Sequence, residues 1–189
     1  MNLYENLIIT KKKDTPNKKA LIAVNSLGEI SSLSYSELGE QIKNLTKHFN
    51  ETFKKIMILG PPSLSTSLIM LTSACEEIPF NVNFPSLSQE SVANRIKLFK
   101  PSHIAITSEN KSKLGDLIND SPVISFSIDK KYFIYEVSPK IIESYTKRLN
   151  KENEIFTMFT SGSTGVPKGI VHSRNGYLVY SAFTSQYFF

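Results

Sequence analysis

The sequence predicts an α/β fold with a largely parallel β-sheet flanked by helices, and three observations carry that prediction. From residue 55 to residue 107, short apolar runs alternate with segments of helical spacing. One run, Ile56-Met57-Ile58-Leu59, is apolar at consecutive positions, as in a strand buried on both faces, and it stops at Gly60-Pro61-Pro62. There is also enough apolar material for a core, since 40% of the 189 residues are hydrophobic and 21% are charged. That balance excludes a disordered tail, and the length suits one domain.

The elements follow in order. Ala20 to Val24 and Ile30 to Ser34 predict a hairpin around Ser26-Leu27-Gly28-Glu29, where glycine tolerates the positive φ of a turn. Ser34 and Glu37 have the spacing of a capping box, and Leu38, Ile42, Leu45 and Phe49 then recur at helical spacing. After the strand at Lys55 to Leu59 come a helix with Leu64, Leu68 and Leu71, a strand at Ile78 to Val82, and a helix from Gln89 to Phe99 with Val92, Ile96 and Phe99 inward. His103 to Thr107 is the next strand. A weaker helix (Lys111 to Ile118), strands near Val123 to Phe126 and Tyr132 to Val137, and a helix around Ile141 to Leu149 lead to a strand at Ile155 to Phe159. Right-handed crossovers in such an alternation place helices on both faces of the sheet.

Charge and cysteine usage narrow the function classes. The net charge is +5, but Lys11, Lys12, Lys13, Lys18 and Lys19 against Glu5 and Asp14 already supply +3 of it. Residues 1–19 therefore read as a basic, solvated segment, mobile over 10–19, and no nucleic-acid partner is expected, because phosphate binding needs a basic face on a folded element. Cys75 is the single cysteine, so no intrachain disulfide forms, and His48, His103 and His172 are too scattered for a Cys/His zinc cluster. No apolar run approaches the ~18 residues of a membrane span, and Leu7-Ile8-Ile9 is too short for a secretory signal. The expectation is a cytoplasmic protein with no membrane partner.

The segment with chemistry is Thr160-Ser161-Gly162-Ser163-Thr164-Gly165-Val166-Pro167-Lys168-Gly169, set between an apolar run and the strand-like Ile170-Val171-His172. Small residues let backbone N–H groups converge on an anion, hydroxyls add donors, and Lys168 adds positive charge. It is not a Walker A loop, because Lys168 lies between Pro167 and Gly169, and its glycines do not fit G-x-G-x-x-G. Serine, threonine and glycine also favour ordinary polar turns, so a plain hairpin turn is the competing reading.

At these residues the chain resembles the AMP-forming adenylating enzymes, which include acyl-CoA synthetases, luciferases and peptide-synthetase adenylation domains. TSGSTGVPKG is similar to their phosphate-binding signature. Leu33-Ser34-Tyr35-Ser36-Glu37-Leu38, preceded by the strand-like Ala20-Leu21-Ile22, resembles their early Thr-Tyr-x-Glu-Leu helix start. Ile78-Pro79-Phe80-Asn81-Val82-Asn83-Phe84-Pro85, with Arg95-Ile96 and Lys100-Pro101 downstream, is similar to their second conserved segment, although Val82 stands where many relatives have proline. His172-Ser173-Arg174-Asn175-Gly176-Tyr177-Leu178 looks most like the short-chain acyl-CoA synthetase branch.

The resemblance implies the N-terminal part of a large adenylate-forming domain, incomplete here, with residues 20–189 as a partial AMP-binding domain. It implies activation of a small carboxylic acid by ATP to an acyl-adenylate and pyrophosphate, with Mg²⁺ as counter-ion and a thiol, coenzyme A among the candidates, as acceptor. Thr160, Ser161, Ser163 and Thr164 with the backbone of Gly162 and Gly165 would hold the β- and γ-phosphates, and Lys168 would offset charge on departing pyrophosphate. Acetyl-CoA synthetases place an Arg pair after the strand matching His103 to Thr107; here only Lys111 and Lys113 are near. His172, a lone histidine ending a strand, reads as structural and is assigned no chemistry. The aromatic load of Tyr177, Tyr180, Phe183, Tyr187, Phe188 and Phe189 leads us to expect that the chain stops inside a larger fold and is inactive alone. The alternative is a non-catalytic binding or regulatory module that retains half of an adenylation domain.

Overall fold

The computed structural model describes residues 4, 8–118, 123–126, 133–134, 154–161 and 166–188. The chain begins with a short helix α1 (Thr10–Asp14), a hairpin of β1 (Lys19–Val24) and β2 (Ile30–Ser34), and helix α2 (Tyr35–Thr46). It then alternates through β3 (Ile56–Leu59), α3 (Leu64–Cys75), β4 (Phe80–Asn83), α4 (Gln89–Phe99), β5 (His103–Thr107) and α5 (Ser108–Leu114). A 3-10 turn (Gly115–Ile118) leads to β6 (Val123–Phe126) and β7 (Phe133–Ile134), and β8 (Glu154–Thr160), β9 (Lys168–Ser173) and α6 (Arg174–Phe188) follow. The helix expected at 141–149 lies outside the described residues, as does most of the strand expected over 132–137.

Local chemistry fixes the early elements. In the hairpin turn Gly28 takes φ +79°, and the Asn25 side-chain oxygen accepts from the Leu27 and Glu29 amides at 3.0 and 2.9 Å. The capping box forms: the Ser34 hydroxyl accepts from the Glu37 amide at 3.2 Å, and the Glu37 carboxylate accepts from the Ser34 amide at 2.8 Å. Leu38, Ile42 and Leu45 are buried, while α2 ends at Thr46, so Phe49 lies in the following turn and stacks on Phe53 at 4.6 Å.

The lysines of residues 11–19 reach solvent as expected, but the backbone that carries them is engaged. Beyond α1, the Ser36 amide donates to the Pro16 carbonyl and the Tyr35 amide to the Lys18 carbonyl, each at 3.0 Å. Ile8, 1% exposed, packs on Gly39 of α2, where a Cβ would come within 2.9 Å of the Ile8 Cγ2.

The main sheet has the order β7-β6-β5-β3-β4-β8-β9. The five inner strands, from β6 to β8, are parallel, and β7 and β9 pair antiparallel at the two ends. Alternation of side chains divides the central strand between two cores. Ile56 and Ile58, with Phe80, Ala105 and Ile155, pack against α2 and α3, whereas Met57 and Leu59, with Ile104, Ile106 and Val123, pack against Val92, Phe99, Leu114 and Ile118. Helices therefore cover both faces, as right-handed crossovers require. The buried positions of α3 extend beyond its leucine stripe to Ser65, Thr66, Thr72 and Ser73, because α2 and the β1–β2 hairpin cover the side turned away from the sheet.

Candidate functional site

Strand order makes two crevices at the carboxyl edge of the sheet. β3 leads through α3 to β4 on one side, while β5 leads through α5 to β6 on the other, so the connections diverge between β3 and β5. β4 leads through α4 back across β3 to β5, while β8 turns outward into β9, so they diverge again between β4 and β8. Ligands of open α/β sheets bind where such connections part.

The described ends of the hydroxyl- and glycine-rich segment stand at the second crevice. Thr160 is the last residue of β8 and pairs directly with Lys168, the first residue of β9. Lys168 thus belongs to a strand rather than to the loop proper. Residues paired in this way project their side chains to one side, so Lys168 and Thr160 stand together at the loop's root, both exposed. The Thr160 hydroxyl lies 3.5 Å from the Lys168 carbonyl, and Ser161 follows, also exposed. Gly162, Ser163, Thr164 and Gly165 lie outside the described residues.

Three side chains outside the motif, Lys55, Asn81 and Arg95, tie this hairpin to the rest of the fold. At its base, Lys55 forms an ion pair with Glu154 at 3.0 Å, and the other Glu154 oxygen accepts from the Thr157 hydroxyl at 2.7 Å. Above that, the buried Asn81 side chain donates to the Thr157 carbonyl at 2.7 Å. Phe159 lies across Gly169, where a Cβ would approach the ring to 3.1 Å and the Thr157 methyl to 3.3 Å. The motif's last glycine therefore leaves room for that ring. The Arg95 guanidinium sits 5.6 Å from the centre of the Phe159 ring, with Nη1 donating to the Ser91 carbonyl at 3.2 Å. Asn81 was legible in principle, as an amide between Phe80 and Val82 in a predicted strand; the Arg95 contact was not, since nothing in the sequence relates it to Phe159.

The histidines have structural surroundings. His172 stacks on Phe156 at 4.5 Å, and the Tyr177 ring meets Phe156 edge-on at 4.8 Å. This aromatic group joins β8, β9 and α6. His103, at the amino end of β5, stacks on Phe53 at 3.6 Å with Nδ1 3.0 Å from the Ser102 hydroxyl, and burial pushes its pKa down to about 4. At the same end of the sheet, Arg174 forms an ion pair with Glu77. Cys75 nearby is pushed up to about 11, first by burial and then by the Glu76 charge, against a smaller opposing effect of Arg174.

The first crevice, on the α4 and α5 face, is an apolar cleft lined by Leu59, Phe84, Leu87, Ile106, Asn110 and Leu114. Lys111 and Lys113 follow Asn110 on α5. Among the described residues, no helix is long and apolar enough to cross a membrane.

A family model described as "AMP-binding enzyme" matches residues 10–188. The acetyl-coenzyme A synthetase of Bartonella quintana (strain Toulouse) is 29% identical across all of this chain and 34% of its own length. The chloroplastic/glyoxysomal acetyl-coenzyme A synthetase of Arabidopsis thaliana is 26% identical over 87% of this chain and 27% of its own. The chain thus spans about a third of the length of these relatives. Among solved structures, CmiS6 superposes with a TM-score of 0.73 at 16% identity, covering all of this chain and 44% of the other. The fatty acid AMP ligase from Legionella pneumophila superposes with a TM-score of 0.70 at 14% identity, over all of this chain and 33% of the other. At such identities the superpositions show the shared fold, and the match of the family model over nearly the whole chain decides the rest: this chain belongs to the AMP-binding enzyme family.

Proposed function

We propose that the chain is part of an AMP-forming carboxylate ligase and carries its polyphosphate grip. The carboxylate of a small acid attacks the α-phosphate of ATP, an acyl-adenylate forms, and pyrophosphate leaves. The observation that carries this reading is the placement of the loop: Thr160, Ser161 and Lys168 stand exposed at the carboxyl edge of a parallel sheet, over a crevice where the connections of β4 and β8 part. Lys168 is suited to offset charge on the leaving pyrophosphate, and the Thr160 and Ser161 hydroxyls to orient it. The remainder of the grip is assigned to Gly162, Ser163, Thr164 and Gly165 by the motif alone. Mg²⁺, when bound with the nucleotide, supplies further positive charge.

For the acceptor we favour a thiol, with coenzyme A supported by the acetyl-coenzyme A synthetase relatives, and with Lys111 and Lys113 of α5 following the strand at His103 to Thr107. Lysine there keeps the charge of the usual arginine pair without its bidentate fork, so a weaker hold on coenzyme A phosphates is expected. Within the protein encoded by the whole reading frame, acetate- or propionate-dependent ATP–pyrophosphate exchange should be detectable. Lys168→Ala should lower it by about 10²-fold, the scale for loss of one preorganised charge donor. Exchange that is unchanged in the variant removes Lys168 from the mechanism; no exchange with any short acid sinks the ligase reading.

A further inference from the structure

The loop-bearing hairpin hangs on the parallel sheet by very little backbone. β3 pairs with β4 through four residue pairs, as it does with β5, whereas β4 pairs with β8 through Phe80 and Phe156 alone. Beyond that single pair a side chain replaces the ladder. Asn81, 1% exposed, donates its amide to the Thr157 carbonyl at 2.7 Å. Its own side-chain oxygen accepts from the Asn83 side-chain Nδ2, so both ends of the Asn81 carboxamide are used and its direction is set. Asn83 is in turn held at the end of the β3–β4 ladder, where its carbonyl accepts from the Gly60 amide at 3.3 Å.

Asparagine is disfavoured inside strands, and a buried amide costs free energy unless its hydrogen bonds are made. An aliphatic side chain would fill the same space and leave the Thr157 carbonyl without this donor. The geometry points to a spacer: a side chain has the reach to bridge two strands that a backbone ladder would draw together. Thr160 lies three residues beyond Thr157, about 10 Å along the strand, so a change in the spacing at Thr157 is carried to the root of the loop.

We propose that Asn81, aligned by Asn83, is a positioning residue of the polyphosphate grip. It fixes the separation of β8 from β4 and so where Thr160, Ser161 and Lys168 stand over the crevice. The link to the grip rests on the ligase reading above; the effect on β8 does not.

Asn81→Leu keeps the number and branching of side-chain heavy atoms and removes the donor, and Asn81→Ala removes the donor without adding bulk. In the 189-residue chain, each is expected to raise amide exchange in 154–160 and 168–173 by about tenfold, while 56–59 and 103–107 keep their protection. Binding of magnesium tripolyphosphate, titrated at a temperature where parent and variants are all folded, should weaken by about tenfold. Asn83→Ala, which releases the Asn81 carboxamide, should shift both quantities in the same direction and by less. Parent-like exchange in β8 and β9, or an increase spread evenly over every strand, overturns the proposal. Localised exchange with unchanged tripolyphosphate affinity overturns the link to the grip. If the parent chain binds no tripolyphosphate, the ligase reading fails at its grip, and the exchange pattern alone decides whether Asn81 positions β8.

Discussion

His103 shows how burial turns a titratable residue into a structural one. Stacked on Phe53 and hydrogen-bonded to Ser102, it is held neutral with its pKa lowered to about 4, while the unfolded chain protonates it near 6.5. Below pH 6.5 the unfolded state therefore binds a proton that the native state refuses. The stability contribution is complete above pH 6.5 and is lost as pH falls to about 4, roughly 3 kcal/mol across that window. Urea midpoints measured from pH 7.5 to pH 4 should follow this acid limb, and His103→Gln should flatten it. An equal limb in the variant would assign the acid sensitivity elsewhere. Nothing in the sequence distinguishes His103 from His172, because a ring's neighbours across a sheet are set by strand order.

At the scale of elements, signals confined to one turn of chain were legible. The Ser34–Glu37 capping box forms as read, and Ser34→Ala should destabilise the chain by about 1 kcal/mol in urea or thermal unfolding. A change below a few tenths would mean that packing of Leu38, Ile42 and Leu45 holds the start of α2 without its cap. The Gln89–Phe99 helix and its inward Val92 and Phe99 were legible for the same reason, since period and capping act within the element. The burial of Ser65, Thr66, Thr72 and Ser73 in α3 was not. Both the sheet and α2 pack on that helix, and small hydroxyl side chains buried between them leave no apolar stripe in the sequence. Residues 10–19 were read by composition as a mobile segment, but the bonds from Pro16 and Lys18 to the start of α2 tie them down, and backbone partners leave no trace in composition.

At the scale of the whole molecule, apolar surface is concentrated on the last elements. Ile170 and Val171 of β9 and Val179 and Tyr180 of α6 are exposed, and among the described residues no strand pairs with the outer edge of β9. Open strand edges and apolar faces associate. The 189-residue polypeptide should therefore show light scattering that rises with concentration faster than for a monomer, and Val171→Lys with Val179→Lys should reduce that rise. A parent that stays monodisperse at the limit of its solubility would show that this surface does not self-associate.

The α/β class, the buried strand runs and the capping of α2 were legible in the chain alone, because each is written in neighbouring residues and their spacing. Tertiary structure decided that β8 adjoins β4, that Lys168 is the first residue of a strand opposite Thr160, and that Asn81, Arg95 and Phe159 hold the hairpin beneath the loop. Apart from the Thr160–Lys168 pair, these contacts join residues more than sixty positions apart. Strand order brings them together, and strand order follows from how the helices pack on both faces of the sheet rather than from any local pattern.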